Sequence, residues 1–316
     1  MNNAVETAGT TGRVVITGTG GLGFETALAL SKIGWKVIIA GRSAGKGAAA
    51  VKEIKAQIPQ ASLVFEQVDL ADLASIAAFG RRLNAVYDRI DMLINNAGVM
   101  TPPRREVTVD GFELQFGTNY LGHFALTSHV LPLLRRGTAP RVISVSSIAN
   151  RGARINFDDL QSERSYKAFE AYGQSKLAQL MFAFELQRRS QENGWGVASL
   201  AVHPGLARTE LIPNGSGKLS TSFLLRQLLW FVFQSPAQGA YPTLFAATSS
   251  GAKPGGYYGP DRWSEIRGNP APARIPERAQ NRGDAAQLWD LSQVLAGVSF
   301  GEPHAEHSPA RQTASA

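Results

Sequence analysis

A tyrosine and a lysine, Tyr172 and Lys176, lie four positions apart at the start of a helical pattern in this chain of 316 residues. Apolar residues follow at helical spacing from Leu177 to Phe184, so the two polar side chains are expected one turn apart on a neighbouring face. A phenol has an ordinary pKa of about 10, and an adjacent ammonium lowers it by favouring the phenolate. The pair therefore predicts an acid/base site, although this spacing also occurs on ordinary helix surfaces.

A glycine-rich turn near the amino terminus has the context of a dinucleotide-binding site. The β-branched run Arg13 to Thr17 precedes the glycines, and the residues from Phe24 to Ile33 predict a helix after them. Glycines between a strand and a helix let backbone N–H groups and the positive helix end approach a pyrophosphate. The contacts expected in this turn are Gly18, Gly20, Gly21, Leu22 and Gly23.

The second predicted strand, Lys36 to Ala40, is followed by Gly41 and Arg42. Sites that prefer NAD usually carry an acidic residue at this position, whereas a guanidinium pairs with a 2′-phosphate. Arg42 therefore favours NADP(H) as the cofactor, with NAD(H) as the second choice. An arginine on a helix-entry loop that faces water is the structural alternative.

Strands and helices alternate along the rest of the chain. A helical pattern at Gly45 to Ile58 precedes the strand-like run Leu63 to Val68, and one at Leu73 to Tyr87 precedes the run Met92 to Asn95. The pattern Phe112 to Leu134 precedes the run Arg141 to Val145. Such repeats predict one α/β, doubly wound (Rossmann) domain with a parallel sheet of about seven strands and helices on both faces. The domain is expected over residues 11–300, with a flexible tail at 1–10 and a disordered one at 301–316.

Polar or small residues follow several strands, at the edge where ligands of parallel sheets bind. Asp69 either reaches an adenine amine or caps the helix that starts at Leu73. The pair Asn95-Asn96 either fixes a tight turn or contacts the ligand, and Gly98 lets a cofactor approach closely. Ser146-Ser147 offers a hydroxyl to a carbonyl oxygen on which charge develops.

After the Tyr172 helix, the strand Val197 to Val202 runs into His203-Pro204-Gly205. Proline and glycine expose backbone groups that bind a carboxamide, and Thr209 adds a hydroxyl. His203 is expected to be structural. In the long helical pattern from Phe112 to Leu134, Asn119 is a poor helix former that distorts the helix and holds a water.

Composition excludes several classes of protein. The net charge is +7, but the basic residues are scattered, so nucleic acid is not an expected partner. The absence of cysteine excludes disulfides and thiolate metal sites. His123 and His129 lack metal-ligand spacing, so they are expected in the core or on the surface. The segment Phe223 to Phe233 is too short to span a bilayer and Met1 to Thr10 has no signal pattern, so a cytoplasmic protein is expected.

Over residues 12–298 the chain resembles the short-chain dehydrogenase/reductase family. Within it, Asn119 to Phe124, the insertion Asn150 to Lys167 and Leu288 to Ser292 look like the retinol dehydrogenase and WW-domain oxidoreductase branch. The active serine of that branch matches Ser147, 25 residues before Tyr172. The motifs that carry the resemblance are Thr17-Gly18 through Gly23, Asp69-Leu70, Asn95-Asn96-Ala97-Gly98, Asn119, Ser147, Tyr172 with Lys176, and Pro204-Gly205.

The resemblance implies a catalytic tetrad. Asn119 would hold a relay water and Ser147 would polarise the substrate oxygen. Tyr172 would be the acid/base, and Lys176 would lower its pKa and bind the nicotinamide ribose. A homodimer or homotetramer is also implied. The cofactor contacts implied outside the glycine turn are Arg42, Asp69, Leu70, Asn96, Ala97, Gly98, Tyr172, Lys176, Pro204, Gly205 and Thr209.

The glycine turn departs from the family pattern, because it is one residue shorter than T-G-x-x-x-G-x-G. Gly18 and Gly23 keep clear roles, whereas the middle role falls to either Gly20 or Gly21. The shorter turn also lacks the polar side chain that often contacts the adenosine ribose.

The pattern indicates reversible hydride transfer between NADP(H) and a hydrophobic secondary alcohol or a ketone or aldehyde, as in a carbonyl reductase. A substrate lid is expected at residues 206–234, and its apolar character suggests the hydrophobic substrate, a subunit interface or shallow membrane contact. Two other functions stay open: reduction of a carbon–carbon double bond, as in protochlorophyllide reductases, and a sensor that binds NADP(H) without turnover.

Overall fold

A computed structural model describes residues 12–206 and 234–301 of the chain. The strands of its single sheet are β1 (Arg13–Thr17), β2 (Lys36–Gly41), β3 (Leu63–Gln67), β4 (Met92–Asn95), β5 (Arg141–Val145), β6 (Ala198–Val202), β7 (Tyr257–Arg262) and β8 (Arg267–Pro272). Their order in the sheet is β3-β2-β1-β4-β5-β6-β7-β8. Neighbouring strands are parallel except β7 and β8, which pair antiparallel.

Helices connect the strands and cover both faces of the sheet. The α-helices are α1 (Gly21–Lys32), α2 (Ala44–Gln57), α3 (Leu73–Val86), α4 (Gly122–Leu134), α5 (Ala168–Glu192), α6 (Pro236–Gly239), α7 (Tyr241–Thr248) and α8 (Arg282–Ala296). A π-helix, Phe116–Leu121, precedes α4, and 3₁₀ helices lie at Ile148–Gly152 and Glu277–Gln280. The described residues contain no helix that is both long and apolar enough to cross a membrane.

Alternate residues of each central strand enter opposite cores, which explains why these strands are apolar at nearly every position. In β1, Val15 packs with α3, α4 and α5, whereas Val14 and Ile16 pack with α1 and α7. Leu93 of β4 enters the first core and Ile94 the second. The predicted single doubly wound α/β domain is confirmed.

The sheet has eight strands rather than about seven. The additional strand, β8, contains Gly268, Pro270 and Pro272, residues that normally argue against a strand. It is tolerated because β8 lies at the edge of the sheet, where missing backbone donors leave no neighbour unpaired.

One predicted helix is divided in the structure. The pattern from Phe112 to Leu134 begins as the π-helix that contains Asn119 and continues as α4, so the expected distortion at Asn119 is present. Further along the chain, α6 ends at Gly239 and α7 begins at Tyr241. The tails 1–10 and 302–316, and the segment 207–233 of the expected lid, lie outside the described residues.

Candidate active site

The carboxyl ends of β1, β4, β5 and β6 open into one cleft with a volume of about 1010 Å³. It lies where the strand order reverses between β1 and β4, the position at which open parallel sheets bind ligands. The predicted site residues that line it are Gly18, Gly20, Gly21, Leu22, Arg42, Asn96, Ala97, Gly98, Ser147, Tyr172, Lys176, Pro204 and Gly205.

Four predicted site residues, Gly23, Asp69, Leu70 and Asn119, are not among those that line the cleft in the described part of the chain. Leu70 belongs to the core. The Asp69 carboxylate accepts a hydrogen bond from the Ala71 N–H, and Asn119 is fully buried. Thr209 lies outside the described residues.

The alternative that Asp69 caps the third helix is wrong, because Asp72 does so. The Asp72 side chain accepts hydrogen bonds from the N–H groups of Ala74 and Ser75. Asp69 Oδ2 instead faces Arg42, whose Nη1 lies 4.0 Å away. The adenine contact that the resemblance implies for Asp69 stays a prediction.

The glycine turn leaves the start of α1 open to an anion. Gly18 and Gly21 have φ values of 98° and 51°, whereas Gly20 is the extended N-cap residue with φ of −130°. Of the two candidates for the middle role, Gly21 is therefore the one whose left-handed backbone favours glycine. No side chain of the described residues caps α1, and its first turn has no acidic residue, so its N–H groups fit a pyrophosphate.

A threonine at the end of β1 fastens the glycine turn to β4. The Thr17 hydroxyl accepts hydrogen bonds from the N–H groups of Asn96 and Ala97, at 2.9 and 3.0 Å. Asn96 Nδ2 donates to the Thr17 carbonyl at 2.7 Å. The structure thus gives the Asn96 side chain the turn-fixing role, while the backbone from Ala97 to Gly98 faces the cleft.

Arg42 extends from the end of β2 with 75% of its side chain exposed. The neighbouring Gly41 and Ser43 carry no carboxylate that would bind a ribose 2′-hydroxyl. The guanidinium has room to pair with a phosphate at this edge of the cleft.

Tyr172 and Lys176 lie on the first turns of α5, both buried and both facing the cleft. Burial raises the pKa of Tyr172, and a hydrogen bond with Ser147 opposes that rise. This direction is opposite to the one expected from the lysine. Burial is the cause of the rise, and Lys176 Nζ does not bond to the phenol: it lies 5.9 Å from the centre of the Tyr172 ring and donates to the Val145 carbonyl and to Gln179 Oε1.

Burial also lowers the pKa of Lys176 to about 7. Between that value and the ordinary 10.5, the unfolded chain binds more protons than the folded one. We therefore expect the free energy of unfolding to rise with pH across this window, by up to about 1.4 kcal/mol per pH unit, and Lys176→Met to remove that rise. Urea unfolding of both proteins at several pH values would measure it. Parallel pH curves would contradict the lowered pKa.

Asn119 joins the β4 loop to α5 through its side chain. Its Nδ2 donates to the Val99 carbonyl and to Ser175 Oγ, and its Oδ1 accepts from the Val99 N–H at 2.7 Å. The Asn119 carbonyl accepts from His123 Nδ1 at 2.8 Å. Sequence reasoning did not assign His123 this contact.

His123 links the π-helix to the glycine turn. Because the Asn119 carbonyl can only accept, Nδ1 carries the proton, and Nε2 is left to accept from the Thr17 hydroxyl 2.9 Å away. Burial lowers the pKa of His123 to about 4, so the neutral form persists at neutral pH. A polar residue one helical turn after Asn119 was the available signal in the sequence.

The family model described as short chain dehydrogenase matches residues 13–216. The chain belongs to the short-chain dehydrogenase family. Retinol dehydrogenase 12 of Mus musculus is 40% identical over 296 residues, which cover 91% of this chain and 87% of that protein. Retinol dehydrogenase 13 of Homo sapiens is 39% identical over 290 residues, which cover 90% of this chain and 84% of that protein.

Solved structures share the fold of this short-chain dehydrogenase. A crystal structure of an uncharacterised protein from Mycobacterium paratuberculosis is 36% identical, with a TM-score of 0.75, and the match covers 94% of this chain and 98% of that one. The RhlG/NADP active-site complex of Pseudomonas aeruginosa is 22% identical with a TM-score of 0.63, covering 79% of this chain and 95% of that one. At that identity the second match shows the fold alone.

The insertion between β5 and α5 of this short-chain dehydrogenase forms one wall of the cleft. Ala153, Arg154 and Asn156 line it from the insertion, and Phe169 follows at the start of α5. Phe169 is 65% exposed, and its ring centre lies 6.4 Å from that of Tyr172. An apolar ring at the mouth of the cleft is thus available to a ligand that reaches Tyr172.

Proposed function

We propose that this short-chain dehydrogenase is an NADP(H)-dependent oxidoreductase that interconverts an apolar alcohol and the corresponding ketone or aldehyde, with Tyr172 as the acid/base. One observation carries the proposal: Ser147, Tyr172 and Lys176 line the same cleft as the glycine turn and Arg42. A cofactor-binding surface and a proton donor therefore face one volume.

The residues present fit a phosphorylated dinucleotide. The uncapped start of α1 would hold the pyrophosphate, and Arg42 would pair with the 2′-phosphate. Lys176, Pro204 and Gly205 would bind the nicotinamide riboside end. When bound, the nicotinamide supplies or accepts the hydride, which no protein side chain can do.

In the reductive direction, Tyr172 donates its phenolic proton to the carbonyl oxygen of the substrate. Burial keeps the phenol protonated at neutral pH, so it holds the proton that this step donates. The Ser147 hydroxyl donates a hydrogen bond to the same oxygen as its negative charge grows, a contribution commonly worth about 2.7 to 4 kcal/mol. In the oxidative direction both steps reverse, and Tyr172 acts as the base.

Lys176 and Asn119 position the groups that carry out this chemistry. Lys176 is held by Val145 and Gln179, which keeps its ammonium near the cleft without a direct bond to the phenol. Asn119 holds the β4 loop against α5. The relay water that the resemblance implies for Asn119 stays a prediction.

An apolar substrate is supported by the cleft and by the relatives. Val99, Met100, Ile148 and Phe169 place apolar groups along it. Several relatives are named retinol dehydrogenases, and retinol is an apolar alcohol. Retinol and all-trans-retinal are accordingly the first substrates to test, followed by simple apolar ketones and aldehydes.

A binding titration followed by a turnover screen tests the proposal. NADPH and NADH are titrated by fluorescence, and the tighter cofactor is then offered with each carbonyl compound in the dark. Binding followed by carbonyl-dependent oxidation of NADPH is the expected result. Binding without turnover of any carbonyl would favour a sensor, and turnover only under light with a double-bond substrate would favour the other reductase class.

Arg42 is expected to set the cofactor preference. Removal of its guanidinium in Arg42→Ala should raise the KM for NADPH about tenfold, because one charge-assisted contact to the 2′-phosphate is lost. The KM for NADH should change little, since NADH has no such phosphate. Steady-state kinetics with both cofactors measure the difference, and Arg81→Ala, an exposed arginine of α3, is the control. An equal change for both cofactors would contradict the role of Arg42.

The cytoplasmic location and the homodimer or homotetramer expected from sequence and resemblance stay predictions. Fractionation and size-exclusion chromatography with light scattering would test them.

A further inference from the structure

Three charged or titratable side chains from distant parts of the chain meet behind the cleft. His203 follows β6, Arg151 lies in the 3₁₀ helix after Ser147, and Glu265 lies at the turn between β7 and β8. Glu265 Oε2 is 2.8 Å from His203 Nε2 and 2.6 Å from Arg151 Nη2. We call these residues the Glu265 cluster.

Hydrogen bonds define the protonation state of His203. The Gly205 N–H donates to His203 Nδ1 at 3.2 Å, so Nδ1 is unprotonated and Nε2 carries the proton that it donates to Glu265. The second carboxylate oxygen of Glu265 accepts from the Arg274 N–H at 2.9 Å. Through the bond between the Gly205 N–H and His203 Nδ1, the Glu265 cluster contacts the backbone of the Pro204–Gly205 loop.

The β7–β8 turn that carries Glu265 is held in an unusual backbone conformation. Trp263, Ser264 and Glu265 have successive φ values of 51°, 54° and 67°, which non-glycine residues rarely adopt. Arg151 Nη1 donates to the Ser264 carbonyl at 3.1 Å. Such strain persists only where surrounding contacts enforce it, and it concentrates at functional sites.

The β7–β8 turn contacts the Pro204–Gly205 loop directly. The Ile266 carbonyl accepts from the Leu206 N–H at 2.9 Å. A Cβ atom on Gly205, which has a φ of 66°, would lie 2.2 Å from that carbonyl oxygen. Gln234 Nε2 donates to the carbonyls of both Pro204 and Ile266. Residues 204–206 therefore have little freedom while the turn keeps its shape.

We propose that Glu265 is a positioning residue for the cofactor: through His203 and the adjoining Ile266 carbonyl it holds the Pro204–Gly205 loop in the shape that receives the nicotinamide carboxamide. Through Arg151 it ties that loop to the segment that carries Ser147. The inference rests on the proposed function, because it assigns this loop to the nicotinamide end of NADP(H).

The chemistry of His203 makes the proposal sensitive to pH. Besides Glu265 and Arg151, the titratable group that faces it is Tyr257 of β7, whose ring centre lies 5.3 Å away. Burial lowers the pKa of His203, the Glu265 carboxylate raises it and Arg151 lowers it. Below the pKa of His203, Nδ1 carries a proton and can no longer accept the hydrogen bond from the Gly205 N–H. The Pro204–Gly205 loop then loses this contact, so NADPH affinity should fall at pH values below that pKa.

Two variants test the cluster from opposite ends. Glu265→Gln keeps the size of the side chain and removes its charge, and we expect the Kd for NADPH at pH 7.5 to rise about tenfold. Arg151→Gln leaves the contact between Glu265 and His203, so a rise of about threefold is expected. Glu192→Gln is the matched control, since Glu192 pairs with Arg188 at the far end of α5.

The pH profile separates positioning from a general structural role. Without the Glu265 charge the pKa of His203 falls further, so the acid-side loss of NADPH affinity should move to lower pH in Glu265→Gln than in Glu192→Gln. Any protonation of NADPH itself affects both variants equally, so it does not contribute to the difference between their pH profiles.

Each outcome decides the proposal. The proposal is supported if Glu265→Gln binds NADPH more weakly and its acid-side loss of affinity moves to lower pH. It is overturned if the Kd is unchanged, or if the Kd rises while the acid-side loss stays at the same pH. If Glu265→Gln does not fold, Arg151→Gln decides: a threefold loss supports the role and no loss overturns it. If the parent protein binds neither NADPH nor NADH, the proposed function fails first and the inference fails with it.

Discussion

Tyr172→Phe should lower turnover about 10³-fold while the Kd for NADPH stays within about threefold of the parent value. The variant removes one oxygen atom and keeps the buried ring, which is 7% exposed. The glycine turn and Arg42, to which we propose the cofactor binds, line the cleft independently of that oxygen. The variant therefore loses the proton transfer to the substrate oxygen and the hydrogen bond with Ser147.

Stopped-flow or steady-state NADPH oxidation measures the turnover, and fluorescence titration measures the binding. Tyr241→Phe is the matched control, because Tyr241 lies on α7 and is not among the residues that line the cleft in the described chain. The control should keep parental turnover. Parental turnover in Tyr172→Phe would remove this residue from the reaction and leave Ser147 as the remaining proton donor beside the substrate.

Gly23→Ala should weaken NADPH binding about 100-fold. A Cβ atom at this position of α1 would lie 2.4 Å from the Gly18 carbonyl oxygen and 2.8 Å from Asn96 Nδ2. The first of these atoms belongs to the backbone, and the second is fixed by its hydrogen bond to the Thr17 carbonyl. Neither can move aside easily to admit the new methyl group. The turn must open, and its N–H groups then lose their common direction toward the pyrophosphate.

Gly45→Ala provides the matched control for this prediction. Gly45 lies in the first turn of α2, and a Cβ atom there would meet nothing within 4 Å. Replacement of a helical glycine by alanine at such a site is expected to stabilise the fold by about 0.4 to 1 kcal/mol. NADPH titration should therefore show a loss of affinity in Gly23→Ala and parental affinity in Gly45→Ala, and urea unfolding should show the gain in stability of Gly45→Ala. Equal NADPH affinity in both would show that the turn tolerates a side chain.

The fold was largely predictable because its signals are local. Apolar runs mark β1 to β6, and the breaks between them mark the helices, so the boundaries of β4 and β5 in the structure match the predicted ones. β8 was missed because its prolines and glycine contradict strand propensity. Only its position beside β7 at the sheet edge makes that sequence acceptable.

Most of the predicted site residues line one cleft, and their roles stay predictions. Tyr172 and Lys176 share one helix, so their spacing alone places them together. The sequence does not show that burial raises the pKa of Tyr172 in the chain alone, or that Lys176 Nζ turns toward Val145, so the lowered pKa expected with the cofactor stays a prediction. Gln179, the other acceptor of that ammonium, could have been found one turn along α5.

The contacts that hold the site in shape were decided by the tertiary structure. His123 and Thr17 are 106 positions apart, and His203 and Glu265 are 62 apart, yet each pair forms a short hydrogen bond. Nothing in the spacing of either pair predicts this, because their meeting depends on the strand order of the sheet. The sequence by itself determined the reactive groups and the βα alternation, since both follow from residue type and short-range periodicity. Which buried groups pair, and therefore which way each proton is held, follows from long-range packing that only the folded chain brings about.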